Sequence, residues 1–245
     1  MGQSDGRAGG ELRAATLLPA VCRDCRVRHG GMCEALGPAE LWRLAGQSRR
    51  TRHEPGEALA LESAETNGYA NVVEGTIKLS RVLRDGRQQL VALQFAPDLL
   101  GRLFSTESPL SAEAATAVEL CRFPKDALEA LVAGSHQLQR RLLEQSLQDL
   151  DEAREWMVTL GRKSAIERVA SVLLLVALRS GCRQPDGDIA IELPIGRADM
   201  ADFLGLTLET VSRQMSKLRR EGLIGLQGHR RVLIRDLPAL RALTG

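Results

Sequence analysis

Five cysteines stand in the 245-residue chain, and three of them, Cys22, Cys25 and Cys33, fall within twelve residues. Thiolates are soft ligands that select iron-sulfur clusters, zinc or copper(I). Cys22-x2-Cys25 can grip one centre from a single turn, and Gly30-Gly31 lets the chain fold back before Cys33. A tetrahedral metal or a cubane cluster then lacks one donor. Cys121 is the natural fourth, because it stands in the last strand-like run before a long helix. Two other readings use the same residues. Cys22, Cys25, His29 and Cys33 form C-x2-C-x3-H-x3-C, close to a zinc knuckle though one residue short in each of the last two gaps; Cys121 is then only a small buried hydrophobe. Cys22 and Cys25 alone would make a reversible dithiol. Cys182, in a polar loop, is assigned no ligand role.

A second set of residues could read DNA. The segment from Arg197 to Gly222 reads as helix, tight turn, helix: Ala201 is small where the helices touch, Gly205 supplies a left-handed turn and Val211 fills the angle. With Thr207 as N-cap, the first turns of the second helix present Glu209, Thr210, Ser212 and Arg213. Arg213 can bind guanine O6 and N7 together, Glu209 can accept from a cytosine amine, and Ser212 can serve either partner. Lys217, Arg219 and Arg220 suit phosphates. GLIGLQGHRRVLIRD supplies a strand, a turn at Gly228 and a second strand, a wing beside the backbone. Gln214 stands where such helices usually carry a branched apolar residue, so Met215 must take over its packing. Net charge is only +2 overall, but nine Lys and Arg against five Asp and Glu lie between Pro194 and Gly245.

These groups need elements to position them. Residues 1–18 are polar and glycine-rich, with no apolar stretch, and read as a disordered tail, not a secretion signal. Residues 19–124 hold the cysteine loop and short β-like runs, among them NVV, TIKLSRVL, QLVALQF and ATAVELCRF, with Asp85-Gly86 as the strongest hairpin signal. Such spacing predicts a jelly roll. Residues 125–161 switch to helical period; Leu143, Leu147, Leu150, Ala153, Met157 and Leu160 form a narrow stripe, the seam of a parallel homodimer, with Asp149, Asp151 and Glu152 partly outward. Residues 162–245 form the winged helix-turn-helix. The expected fold class is α+β. No apolar run reaches bilayer length, so a cytoplasmic protein without membrane partners is expected. No nucleophile-base pair or glycine-rich phosphate loop is recognisable, which argues against an enzyme. His53 and His136 stand alone, which argues against haem.

A jelly roll, a long dimer helix and a winged helix-turn-helix carrying LGLTLETVSRQMSKLRREGLI together resemble the CRP/FNR superfamily of transcription regulators over roughly residues 20 to 235. E-x-x-S-R, met by Glu209, Ser212 and Arg213, is similar to the FNR branch, and the seven-residue gap before Cys33 to its α-proteobacterial members. The resemblance implies a [4Fe-4S] cluster on Cys22, Cys25, Cys33 and Cys121, sensing of oxygen or nitric oxide, binding to a TTGAT-type palindrome as a dimer, and RNA polymerase as a partner. Zinc remains the alternative cofactor. The family's cyclic-nucleotide binders carry Gly-Glu late in the roll and an arginine shortly after. Here Arg102 follows Gly101 and no further arginine comes before Arg122, so that ligand is disfavoured.

Overall fold

The computed structural model describes residues 18–245. The expected tail lies outside them except for Leu18, which is buried. Among the described residues, the jelly roll comprises β1 (Arg49–His53), β2 (Ala58–Ala60), β3 (Gly68–Glu74), β4 (Thr76–Val82), β5 (Gln88–Phe95), β6 (Leu99–Leu100), β7 (Ser111–Ala114) and β8 (Val118–Pro124). Two four-stranded sheets result, ordered β1-β8-β3-β6 and β2-β7-β4-β5. The β4-β5 turn closes on Asp85-Gly86 as expected: Gly86 has φ +85°, and the Asp85 carboxylate accepts from the Arg87 N–H at 3.1 Å. ATAVELCRF is not one run, because the chain breaks between β7 and β8. There the Ala117 carbonyl approaches Gly75, whose φ of +86° and lack of a Cβ leave it room.

Before the barrel, the cysteine segment contains only α1 (Ala20–Arg23), one 3₁₀ turn (Met32–Ala35) and α2 (Pro38–Ala45). After it come α3 (Lys125–Gly134) and the 27-residue α4 (His136–Arg162). The first turns of α4 bury Leu138 and Leu142 against Met32, Leu128 and Leu131. Further along, Leu143, Leu147, Leu150 and Met157, expected in a dimer seam, are exposed, with Met157 at 73%.

A capping box opens α5 (Ala165–Ser180), where Glu167 accepts from the Ser164 N–H at 2.6 Å. Then follow β9 (Cys182–Arg183), β10 (Ile189–Glu192), α6 (Arg197–Leu204), α7 (Leu208–Arg220), β11 (Ile224–Gln227), β12 (Arg231–Ile234) and α8 (Leu237–Leu243). The core of this C-terminal region is not self-contained. Leu90, Leu93 and Phe95 of β5 share one buried cluster with Val169 and Leu173 of α5, Met200 and Phe203 of α6, and Met215 of α7.

Phe95→Ala should therefore cost about 3–5 kcal/mol and be felt on both sides of that core. Trp156 packs on Phe203 with ring centroids 4.5 Å apart, and Trp42 is the chain's other tryptophan. In a Trp42→Phe background, the urea midpoints from circular dichroism and from Trp156 emission should fall together. A lowered dichroism midpoint with an unmoved Trp156 midpoint would show that β5 is no part of the core.

Candidate metal centre and nucleic-acid interface

Strand register builds the floor of the cysteine pocket. Cys121 on β8 lies opposite Arg50 on β1 and opposite Asn71 on β3, so the three residues form a row across neighbouring strands on one face. Period two puts the next residue, Arg122, on the other face, where it lines the barrel's interior cavity with Gly101, Arg102 and Gln94. The cysteine segment covers the row. Cys22, Cys25, Cys33 and Cys121 all line one largely apolar concavity, together with Leu41, Leu44, Ser48 and Phe123. All four are free thiols.

Asn71 Nδ2 donates to Cys33 Sγ at 3.3 Å. Burial pushes the Cys33 thiol up to about 12; the neighbouring Cys121, Cys22 and Cys25 add to the rise, and the Asn71 bond opposes it. Burial also raises Cys22 and Cys121, while Arg50 opposes the rise at both. Arg50 itself is held by Glu119, with Nη1 donating to Oε1 at 2.6 Å. Two polar atoms of residues that line the pocket, Arg50 Nε and Asn71 Oδ1, are buried without a hydrogen-bond partner.

Among the described residues, no three His, Cys, Asp or Glu side chains converge on a point where one metal ion would sit. The four cysteines share the lining of one pocket instead. Four soft donors in an apolar pocket, with an arginine to offset thiolate charge and two unpartnered polar atoms, fit an iron-sulfur group chemically. The zinc-knuckle arrangement is not assembled: His29 is exposed, bonded to Arg28 at 2.7 Å, and lies outside the pocket lining. Cys182 is exposed on β9 in the other half of the chain. Arg50, Asn71 and Ser48 escaped the sequence reading, since no local motif marks them. His53 is engaged by Glu57 at 2.6 Å and Thr51 at 3.0 Å.

At the other end, Gly205 takes φ +60° and ψ +41° between α6 and α7. Thr207 caps α7, its hydroxyl accepting from the Thr210 N–H at 3.2 Å. Val211, Met215 and Leu218 are buried, so Met215 does take the packing that Gln214 leaves. Glu209, Arg213 and Lys217 are exposed on the outer face, while Thr210 and Ser212 are half-buried. Hydrogen bonds from its own N–H and from Thr207 hold the Glu209 carboxyl below its usual range, so it stays an acceptor at neutral pH. Arg197 of α6 reaches Ser212 Oγ at 3.3 Å, a supporting contact the sequence did not announce. The β11-β12 hairpin turns at Gly228, φ +69°, and carries His229, Arg230 and Arg231 at its tip.

Residues 50–135 match the family model described as a cyclic nucleotide-binding domain, and residues 167–243 match the Crp-like helix-turn-helix domain. The chain is similar to a probable transcriptional activator of Rhizobium leguminosarum bv. viciae, 46% identical over 92% of this chain and 93% of that one. It is also similar to the transcriptional activator protein FnrL of Cereibacter sphaeroides, 37% identical over 89% and 90%. Among solved structures, FixK2 from Bradyrhizobium japonicum superposes with a TM-score of 0.74 at 31% identity, covering 81% of this chain and 98% of that one. A sheet sandwich joined by a long helix to a capped helix-turn-helix, with relatives this similar over nearly their whole length, places the chain in the Crp/Fnr family of DNA-binding, non-enzymatic transcription regulators.

Proposed function

We propose that the protein is an FNR-type activator that holds a [4Fe-4S] cluster on Cys22, Cys25, Cys33 and Cys121. In this reading it senses oxygen or nitric oxide in the cytoplasm and binds a TTGAT-type palindrome as a homodimer, with RNA polymerase as its further partner. The observation that carries the reading is that the four cysteines, from α1, the loop, the 3₁₀ turn and β8, line one pocket. When bound, such a cluster supplies a redox-labile link among the four sulfurs. The chain's own residues do the rest. Arg50 offsets the charge of the thiolates, Asn71 orients Cys33, and Leu41, Leu44 and Phe123 keep bulk water from the sulfurs. On DNA, Arg213 and Glu209 read base edges in the major groove, Ser212 is held by Arg197, Thr210 lies at the first turn, and Lys217 meets a phosphate. The partner subunit's second reading helix requires the apolar seam of α4 to be covered.

Three outcomes are expected. Anaerobically purified protein should show iron, sulfide and a visible thiolate-to-iron band, which Cys121→Ser should abolish as fully as Cys22→Ser, while His29→Ala and Cys182→Ser retain it. A Cys121→Ser protein with full iron, or wild-type protein carrying zinc alone, would overturn the assignment. In gel shifts, Arg213→Ala should lose about 1–3 kcal/mol and relax one base pair, whereas Lys217→Ala should weaken all sequences alike and flatten the salt slope by about one. Unchanged selectivity in Arg213→Ala would refute the reading helix. Leu147→Glu, at the middle of the exposed seam, should sediment as a monomer and bind the palindrome at least tenfold more weakly, about 1.4 kcal/mol; an intact dimer would place the interface elsewhere.

A further inference from the structure

The Gly30-Gly31 turn of the cysteine segment bears on two elements at once. On one side Arg141 of α4 donates to the carbonyls of Gly30 and Gly31, the latter at 3.4 Å, and lies 3.8 Å from Glu34. On the other side the turn lies against Pro97. A Cβ placed on Gly31 would stand 3.1 Å from both the Cβ and the carbonyl oxygen of Pro97, so a methyl group there requires the proline to give by a few tenths of an ångström.

Pro97 leads into Asp98, and Asp98 is held from several directions. Its carboxylate accepts from the Phe95 N–H at 2.9 Å, and its own N–H donates to the Phe95 carbonyl at 2.7 Å. Its carbonyl accepts from the Val72 N–H at 2.9 Å, one residue after the Asn71 that bonds Cys33. The other carboxylate oxygen accepts from the guanidinium of Arg179, which belongs to α5 in the C-terminal half and lies 5.3 Å over the Phe95 ring. With side chains only 29% and 20% exposed, Arg179 and Asp98 form a partly desolvated pair rather than a solvated surface contact. Asp149 of α4 borders the same junction: partial desolvation raises its carboxyl, Asp98 and Glu152 add to the rise, and Arg179 opposes it.

We propose that Gly30-Gly31, Pro97-Asp98 and Arg179 form a mechanical link that couples the cysteine pocket to the DNA-binding half of the same subunit, in parallel with the α4 seam. The proposal rests on the regulator reading above, but not on which metal the pocket holds. A change in the path of the Cys25–Cys33 segment alters the pressure on Pro97, and the doubly anchored Asp98 passes it to Arg179 and so to α5. That helix shares its core with both α6 and α7, so the reading helix moves with it.

The test is a double-mutant cycle in the full-length, metal-free protein, with Gly31→Ala and Arg179→Gln made singly and together. Hydrogen exchange of the amides from Val176 to Gly181 is the first readout, and affinity for the palindromic duplex at one fixed salt concentration is the second. Gly31→Ala should change exchange in that segment by about twofold or more while Arg179 is present, and leave it unchanged in the Arg179→Gln background. Arg141→Gln, which frees the Gly30-Gly31 turn from α4, should show the same dependence on Arg179 and serves if Gly31→Ala does not fold. Simple additivity of either pair would overturn the link. Coupled exchange with no palindrome binding by any form, metal-loaded wild type included, would leave the link standing and overturn the proposed TTGAT-type target.

Discussion

The pocket depends on the burial of one side chain, Met32. The segment between Ala20 and Gly37 has only one short helix and a single 3₁₀ turn, so no hydrogen-bonded ladder fixes where its thiols lie. Met32 is fully buried in the cluster formed by Leu128, Leu131, Leu138 and Leu142, and Val27 and Leu36 are buried on either side of it in sequence. Burying a methionine contributes about 1.5–3 kcal/mol, which offsets the backbone entropy of ordering only about one or two residues. Cys33 follows Met32 directly and is thereby delivered to Asn71.

What the sequence announced and what it hid divide along a physical line. The helix-turn-helix was legible because its determinants are local: a left-handed glycine at Gly205, a threonine cap at Thr207 and an apolar face of Val211, Met215 and Leu218 all lie within a few turns. The α4 stripe was legible for the same reason, as was the Asp85-Gly86 hairpin. The edge strand β1, Arg-Arg-Thr-Arg-His, was not, because it has no apolar alternation and becomes a strand only by pairing with β8. The pocket floor was hidden for a related reason. Arg50 and Asn71 meet Cys121 through the register of two separate strand pairs, and register between distant segments leaves no trace in either one alone.

The cysteines were an intermediate case. Their types and the spacing of the first three spoke for soft-metal chemistry, yet the choice among cluster, zinc and dithiol came from resemblance rather than from the residues. Geometry bears on that choice by leaving His29 outside and bringing Cys121 in. Asp149, expected partly outward, has Asp98 and Arg179 of its own chain as electrostatic neighbours.

That placement bears on whether such a regulator works by dimerisation or by reorienting its DNA-binding half. The two are often treated as alternatives, but here they share parts. The turn that Arg141 ties to α4 is the one that presses on Pro97, and α4 meets the junction again at Asp149, about two turns further along. Allosteric coupling between sites is typically worth 1–3 kcal/mol, or 5- to 150-fold in affinity. A single partly buried ion pair supplies only part of that, and a short apolar seam supplies only part as well. Because both are loaded by one loop, their contributions multiply in affinity, and neither needs to be large for the response to be.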